Sequence, residues 1–310
     1  MAFAASSNQA TTTAPAIVYR SFWRRHRGWL YPLLFLLPGV AIFGSVILAS
    51  AVQSIWVAFH EWDGMGPKKW VGLANFAELL HDPQFYQSLR NNFIWLVMFL
   101  FAPAAGLSIA LLVNQSIRGM RLAKSLFFVP LVLAPAAVGV MYVWFYDPTF
   151  GALAKVFQFF GATPPALLSN ERWVTFAVVA AAMWPQVAFC MILFLAGLNN
   201  VDEQVISAAR VDGARGWRML LYIVLPQLRE VGFLAVAVSV IGALRSFDII
   251  AVMTAGGPFG SSSVLAWQMY EQSIFSYRFG YGAAVATVLF AVVAIFIVWY
   301  LRRLLRNERD

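Results

Sequence analysis

Apolar positions dominate this chain in long runs, and polar ones gather in the gaps between them. A helix needs about 20 apolar residues to cross the roughly 30 Å hydrocarbon layer of a membrane. Between Arg27 and Glu61 there is no Asp, Glu, Lys or Arg, which predicts a first span over 29–55. Further spans are predicted over 93–113, 125–145, 173–198, 231–252 and 279–301. Pro103, Pro130, Pro135 and Pro185 fall inside these runs, and bundled helices accommodate such breaks where neighbours satisfy the freed backbone groups. Residues 249–270 also lack formal charge, but Gly256, Gly257, Pro258, Gly260 and three consecutive serines interrupt them. That composition opposes a helix and predicts a loop dipping toward the membrane surface. The fold class is an all-α membrane protein of about six transmembrane helices.

Composition agrees. Of 310 residues, 61% are hydrophobic and 12% charged, about half the charged fraction of a soluble domain. The net charge of +8 is no nucleic-acid signature, because the basic residues sit at span ends rather than in one patch. They also orient the chain. Lys and Arg number four in the N-terminal tail, three in 114–124, four in 199–230 and four in the C-terminal tail, against six on the other side and Arg245 within a span. The positive-inside rule makes the richer side cytoplasmic and puts both termini there. Residues 1–28 read as a disordered cytoplasmic tail, its first 18 rich in Ala, Ser and Thr, and 302–310 as a second tail. The first apolar run is too long for a cleavable signal peptide.

Chemistry of the enzymatic kind is not apparent. His26, His60 and His81 are isolated, so no metal is expected. The glycine-rich 256–263 has no lysine to reach a phosphate, and no nucleophile elbow occurs. Cys190, the single cysteine, excludes a disulfide framework and reads as a small packing residue. If ATP drives this protein, another chain hydrolyses it.

Two features stand apart. The segment 199–227 is the longest polar stretch between spans on the cytoplasmic side; Asn200 and Glu203 suggest a helix start. A turn at Asp212-Gly213 and a second amphipathic piece closing at Pro226 follow. This is either a solvated loop or a docking knob for a soluble partner. The other feature is Arg245 and Asp248, three residues apart within the fifth predicted span. On one helical face they would pair, either as a structural ion pair or as a contact for something crossing the membrane.

The cytoplasmic segment reads DEQVISAARVDGARGWRMLLYIVLP. It resembles the EAA loop of binding-protein-dependent importer permeases. VGLANFAELLHDPQFYQSLRNNF (71–93), FFVPLVLAPAAVGVMYVWFYDPTFG (127–151) and FDIIAVMTAGGP (247–258) are similar to the carbohydrate branch, the maltose and glycerol-phosphate type of first permease subunit. The resemblance implies the type I ABC importer permease fold and a bacterial cytoplasmic (inner) membrane location. It implies a heterodimer with a second permease, two ATP-binding subunits that hold the ATP and Mg, an external solute-binding protein, and alternating access for a sugar or sugar derivative. No cofactor is expected in this chain.

The resemblance makes the loop a coupling helix and assigns contact with the ATPase to Glu203, Ser207, Ala208, Ala209, Asp212, Gly213 and Ala214. Ser207 departs from the family, which has glutamate there; the missing carboxylate either weakens an ionic contact to the ATPase or shifts that duty to Glu203 or a partner subunit. Candidate residues of the substrate path are Tyr142, Trp144, Trp184, Gln186, Ser246 and Asp248. Alternatives are a permease for a non-sugar solute such as glycerol phosphate, an amino acid or phosphate, and a standalone channel or integral membrane enzyme.

Overall fold

The computed structural model describes residues 22–115 and 119–307. The predicted N-terminal tail up to residue 21 and the end of the C-terminal tail lie outside the described residues. Two units divide the chain, one up to Gln53 and one from Ser54 on.

The first unit is helical from Phe22, earlier than the predicted start at residue 29. Helix α1 (Phe22–Ile42) passes through a π-helical turn at Phe43–Leu48 into α2 (Ala49–Val57). Its apolar side chains from Tyr31 to Val52 are largely exposed, as expected of a surface whose solvent is lipid.

The second unit opens with a two-stranded antiparallel hairpin, β1 (His60–Glu61) and β2 (Lys69–Trp70), and a short helix α3 (Ala74–Leu79). Asn75 pins this cap by donating to the carbonyls of Ala58 and His60. The next span starts ten residues before the sequence predicts. Helix α4 (Pro83–Phe99) is capped by Asp82, whose side chain accepts from Gln84 N, and α5 (Ala102–Val113) continues it. Then come α6 (Met120–Val132), α7 (Pro135–Phe145), the short α8 (Ala152–Phe159) and the 26-residue α9 (Val174–Asn199). Helix α9 is the central post: α4, α5, α6, α7 and α13 all contact it.

A helical hairpin, α10 (Glu203–Val211) and α11 (Trp217–Met219) running through a π turn into α12 (Leu225–Gln227), precedes α13 (Arg229–Leu244). Short helices α14 (Asp248–Met253) and α15 (Leu265–Tyr270) lead to the final span, α16 (Phe279–Asn307). Among the described residues, four helices are long and apolar enough to cross a membrane unbroken; α6 with α7, bent by 106°, and the 217–227 piece with α13, bent by 73°, bring the number to six.

The serine-rich end of the segment after α14 is not at the surface, although Phe259 just before it is exposed. Ser261, Ser262 and Ser263 are buried, as is every residue from there to Gln268. Helix α4 makes this possible by turning polar side chains inward. Asn91 Nδ2 donates to the carbonyls of Ser261 and Ser263 at 2.7 Å each; Gln84 and Gln87 donate to those of Gly260 and Ser261. Ser88 reaches the Ser263 hydroxyl, Thr175 donates to Ser261 O, and Asn92 accepts from Leu265 N. A buried loop must find partners for its backbone groups, and amides on a neighbouring helix supply them. These inward amides also explain the early start of α4: they lower the hydropathy of a segment that is nonetheless helical.

Candidate functional site

Two helix breaks and one proline inside an unbroken helix meet around one cavity of about 490 Å³. The first is the α6–α7 break at Leu133, where extended backbone precedes Pro135. A residue before proline is pushed out of the helical region, and Ala134 is extended accordingly (ψ 143°). Next is Pro185, which removes a backbone donor halfway along α9. The third lies between α13 and α14, where Arg245, Ser246 and Phe247 leave helical geometry. Non-helical backbone at membrane depth is tolerated where it lines a cavity or is buried in protein.

The cavity walls are mixed. Trp95, Phe99, Phe189 and Phe247 supply aromatic and apolar surface; Gln186, Arg245, Ser246 and Asp248 supply polar groups. Gln186 Nε2 donates to the Ser239 hydroxyl at 2.9 Å, which donates in turn to Ala235 O, so the amide is held by a buried hydroxyl. The Ser246 hydroxyl caps its own turn through Gly242 O. Trp95 is 1% exposed, and its indole Nε1–H has no acceptor among the described residues.

Gln186, Ser246 and Asp248 come together at this cavity, whereas Tyr142, Trp144 and Trp184 do not line it. Tyr142 packs against Tyr146 and Trp184 in the core, and Trp144 is 64% exposed on the outer face of α7, edge-on to Phe150. Arg245 and Asp248 form no ion pair within 4.0 Å: the break separates them, so the single helical face on which they would meet does not exist. Trp95, Phe99 and Phe247 were not anticipated; the inward amides one and two turns before Trp95 are the available signal.

The helical hairpin of 203–227 is built by capping. Asp202, not Asn200, is the N-cap of α10, accepting from Gln204 N at 2.8 Å; Asn200 instead ends α9. At the other end Ala214 N donates to Ala209 O and Gly213 N to Arg210 O, with Gly213 at φ +84°. This is the Schellman closure, which requires a left-handed residue and favours glycine. Glu203, Ser207, Ala208, Asp212 and Gly213 are exposed, Ala214 is half-buried, and Ala209 is buried against its own chain. Asp202 N donates to Gln227 Oε1, tying the two arms. Val211, Trp217 and Tyr222 leave most of their surface uncovered.

His60 and His81 each donate Nδ1–H to a carbonyl one turn back, of Trp56 and Ala77. Among the described residues no group of His, Cys, Asp and Glu is arranged to hold a metal.

The arrangement of broken spans around a cavity, joined through one helix to an exposed hairpin, has relatives. Residues 92–309 match the family described as binding-protein-dependent transport system inner membrane component. The chain belongs to this family. A probable ABC transporter permease protein of Pyrococcus horikoshii is 32% identical over 284 residues, 90% of this chain and 97% of the relative. The alpha-glucoside transport system permease protein of Rhizobium meliloti is 33% identical, covering 89% of this chain and 83% of its own. The sn-glycerol-3-phosphate transport system permease protein of Brucella abortus is 30% identical over 85% and 91%. A permease chain in a crystal structure of a bacterial alginate ABC transporter superposes with TM-score 0.77 over 90% of this chain and 95% of that one, at 18% identity. The permease is a multi-pass membrane protein with the type I importer fold.

Proposed function

We propose that this permease conducts a sugar or sugar derivative through the cavity between its two helix breaks and Pro185, in a binding-protein-dependent importer driven by ATP hydrolysis in partner subunits. The observation that carries the reading is the cavity itself. Its 490 Å³ lies in the range of small-ligand sites, and its polar groups sit among aromatic walls. Sugar rings need both kinds of surface: hydroxyls to be hydrogen-bonded and apolar faces to be covered. Alpha-glucoside and glycerol-phosphate permeases among the relatives, and an alginate transporter among similar structures, support this substrate class.

In this reading Gln186 and Ser246 exchange hydrogen bonds with hydroxyls, and Trp95 offers its unpartnered N–H. Arg245 and Asp248 hold charge at the rim without neutralising one another. The free guanidinium favours one specific variant: a sugar derivative bearing phosphate or carboxylate, to which Arg binds in bidentate fashion.

The exposed face of 199–227 seats on an ATP-binding subunit, two of which hold the ATP and Mg. Small side chains at Ser207 and Ala208 allow close approach. A second permease completes the pathway, an external solute-binding protein delivers the substrate, and both termini are cytoplasmic in a bacterial inner membrane. Closure of the ATP-binding pair pulls the hairpins and favours the outward-open state; the driving force is differential contact with two global states.

The test is uptake of radiolabelled glucosides and of glycerol 3-phosphate into membrane vesicles carrying the whole transporter. Gln186→Ala and Ser246→Val are expected to lower uptake with normal permease levels. Arg245→Gln should lower uptake of the anionic substrate alone. Full uptake of every solute in all three variants would refute the cavity as the path.

A further inference from the structure

A second groove, of about 350 Å³, opens between α5, α9 and α13. Ala104, Leu107, Phe194, Gly232 and Phe233 line it, and Arg229 is its one charged residue. Its depth comes from missing side chains: a β-carbon on Gly232 would meet only Phe194, at 3.9 Å. Arg229, Gly232, Phe233 and Val236 follow the i, i+3, i+4, i+7 spacing of one helical face.

Two cations converge on Phe233. The Arg229 guanidinium lies 5.6 Å from its ring centre, and that of Arg303, from α16, lies 5.9 Å from the same centre and 5.7 Å from Trp299. The two guanidiniums are thus at most 11.5 Å apart. Among the described residues neither has a carboxylate within 4.0 Å, although the exposed Glu230 is adjacent in sequence. Both stand where an apolar span meets the polar boundary, at the start of α13 and near the end of α16.

We propose that this groove binds an anionic phospholipid, one acyl chain lying on Ala104, Gly232 and Phe194 and the phosphate held between Arg229 and Arg303. Charge complementarity selects this occupant. A free phosphate would leave the apolar wall unused, and an apolar helix of a neighbouring subunit would leave two guanidiniums without a counter-charge. Basic pockets between spans at the cytoplasmic boundary suit acidic headgroups. That the leaflet is the cytoplasmic one rests on the orientation proposed above.

The full-length permease, stripped of lipid in neutral detergent, is titrated with dioleoyl phosphatidylglycerol or dioleoyl phosphatidylcholine and followed by native mass spectrometry. We expect phosphatidylglycerol to bind roughly tenfold more tightly. The double variant Arg229→Gln, Arg303→Gln should bind both lipids alike, and Gly232→Leu should weaken both while its thermal midpoint shows that it folds. Equal affinity in the native protein, an unchanged preference in the double variant, or displacement by millimolar inorganic phosphate would each overturn the proposal. Preferential cross-linking of a photoreactive residue at Ala104 to another subunit rather than to lipid, in the native membrane, would do the same. No readout here depends on which side of the membrane the arginines face, so failure of the site and failure of the orientation are separable.

Discussion

Gly106 lies against Cys190 with no room for a side chain: a β-carbon on the glycine would stand 2.6 Å from the cysteine's own and 2.7 Å from Met191 N. The contact fixes the spacing of α5 and α9, the most extensive helix pair in the fold. Overpacking such a contact costs about 1–3 kcal/mol. Gly106→Val is expected to lower the thermal midpoint in detergent. Gly39→Ala, where a β-carbon meets nothing within 4 Å, should leave the midpoint near native. Equal midpoints for all three proteins would mean that α5 and α9 yield freely.

Asn91 is wholly buried and donates to two carbonyls of the inserted loop. Asn91→Leu takes the side-chain donor from Ser263 O, at about 1–3 kcal/mol, while Ser261 O keeps Gln87 and Thr175. The loop should then loosen, and chymotrypsin should cut after the exposed Phe259 many times faster than in the native protein. An unchanged cleavage rate would show that Gln84, Gln87 and Thr175 hold the loop without Asn91.

Gly213 has a φ of +84° and nothing within 4 Å of a built β-carbon. Gly213→Asp therefore adds a strain of roughly 1–2 kcal/mol without a clash inside the chain. The variant should accumulate in the membrane while solute uptake and co-purification of an ATP-binding subunit are lost. Disappearance of the chain itself would make the glycine structural and remove the docking reading.

Asp147 holds the turn after α7. Backbone N–H groups of Phe150 and Thr149 donate to its carboxylate, at 3.0 and 2.8 Å, and hold its pKa below the usual carboxylate value. A lowered folded pKa gives stability that is complete above the unfolded value and lost as pH falls through the folded one. Protection of these two amides from hydrogen exchange should be constant from pH 7 to pH 5 and should fall only in stronger acid. In Asp147→Asn that acid step should vanish. Its persistence would assign the step to another group.

Cysteine chemistry tests the orientation directly, because the single native Cys190 is buried. A cysteine at Phe259 (93% exposed) should react with a membrane-impermeant maleimide in intact cells. One at Trp217 (75% exposed) should react only in inverted vesicles. The reverse pattern would invert the topology.

Much of this architecture is legible in the sequence where hydropathy and charge act alone. The charge-free run from Arg27 to Glu61, the hairpin around Gly213 and the polar residues Gln186, Ser246 and Asp248 all emerge from that logic. It fails where polar groups satisfy one another inside the protein. Ser261 and Ser263 look like surface residues because their partners, Ser88, Asn91 and Thr175, are 86 to 175 positions away. Asn200 and Asp202 are both capable caps, and only backbone geometry chooses Asp202. Tyr142 and Trp184 are aromatic in mid-span, as a substrate contact would be, but they spend that surface on each other.

Helix α13 begins two residues after the α10–α12 hairpin ends and stops at the cavity rim. Its 16 residues make a rod of about 24 Å with no loop between its ends. A tilt imposed at Leu228 arrives at Arg245 as a sideways sweep of the cavity wall rather than dissipating in soft backbone. On the coupling proposed above, α13 would serve as a crankshaft, its stiffness setting how faithfully a stroke at the hairpin becomes an opening at the cavity.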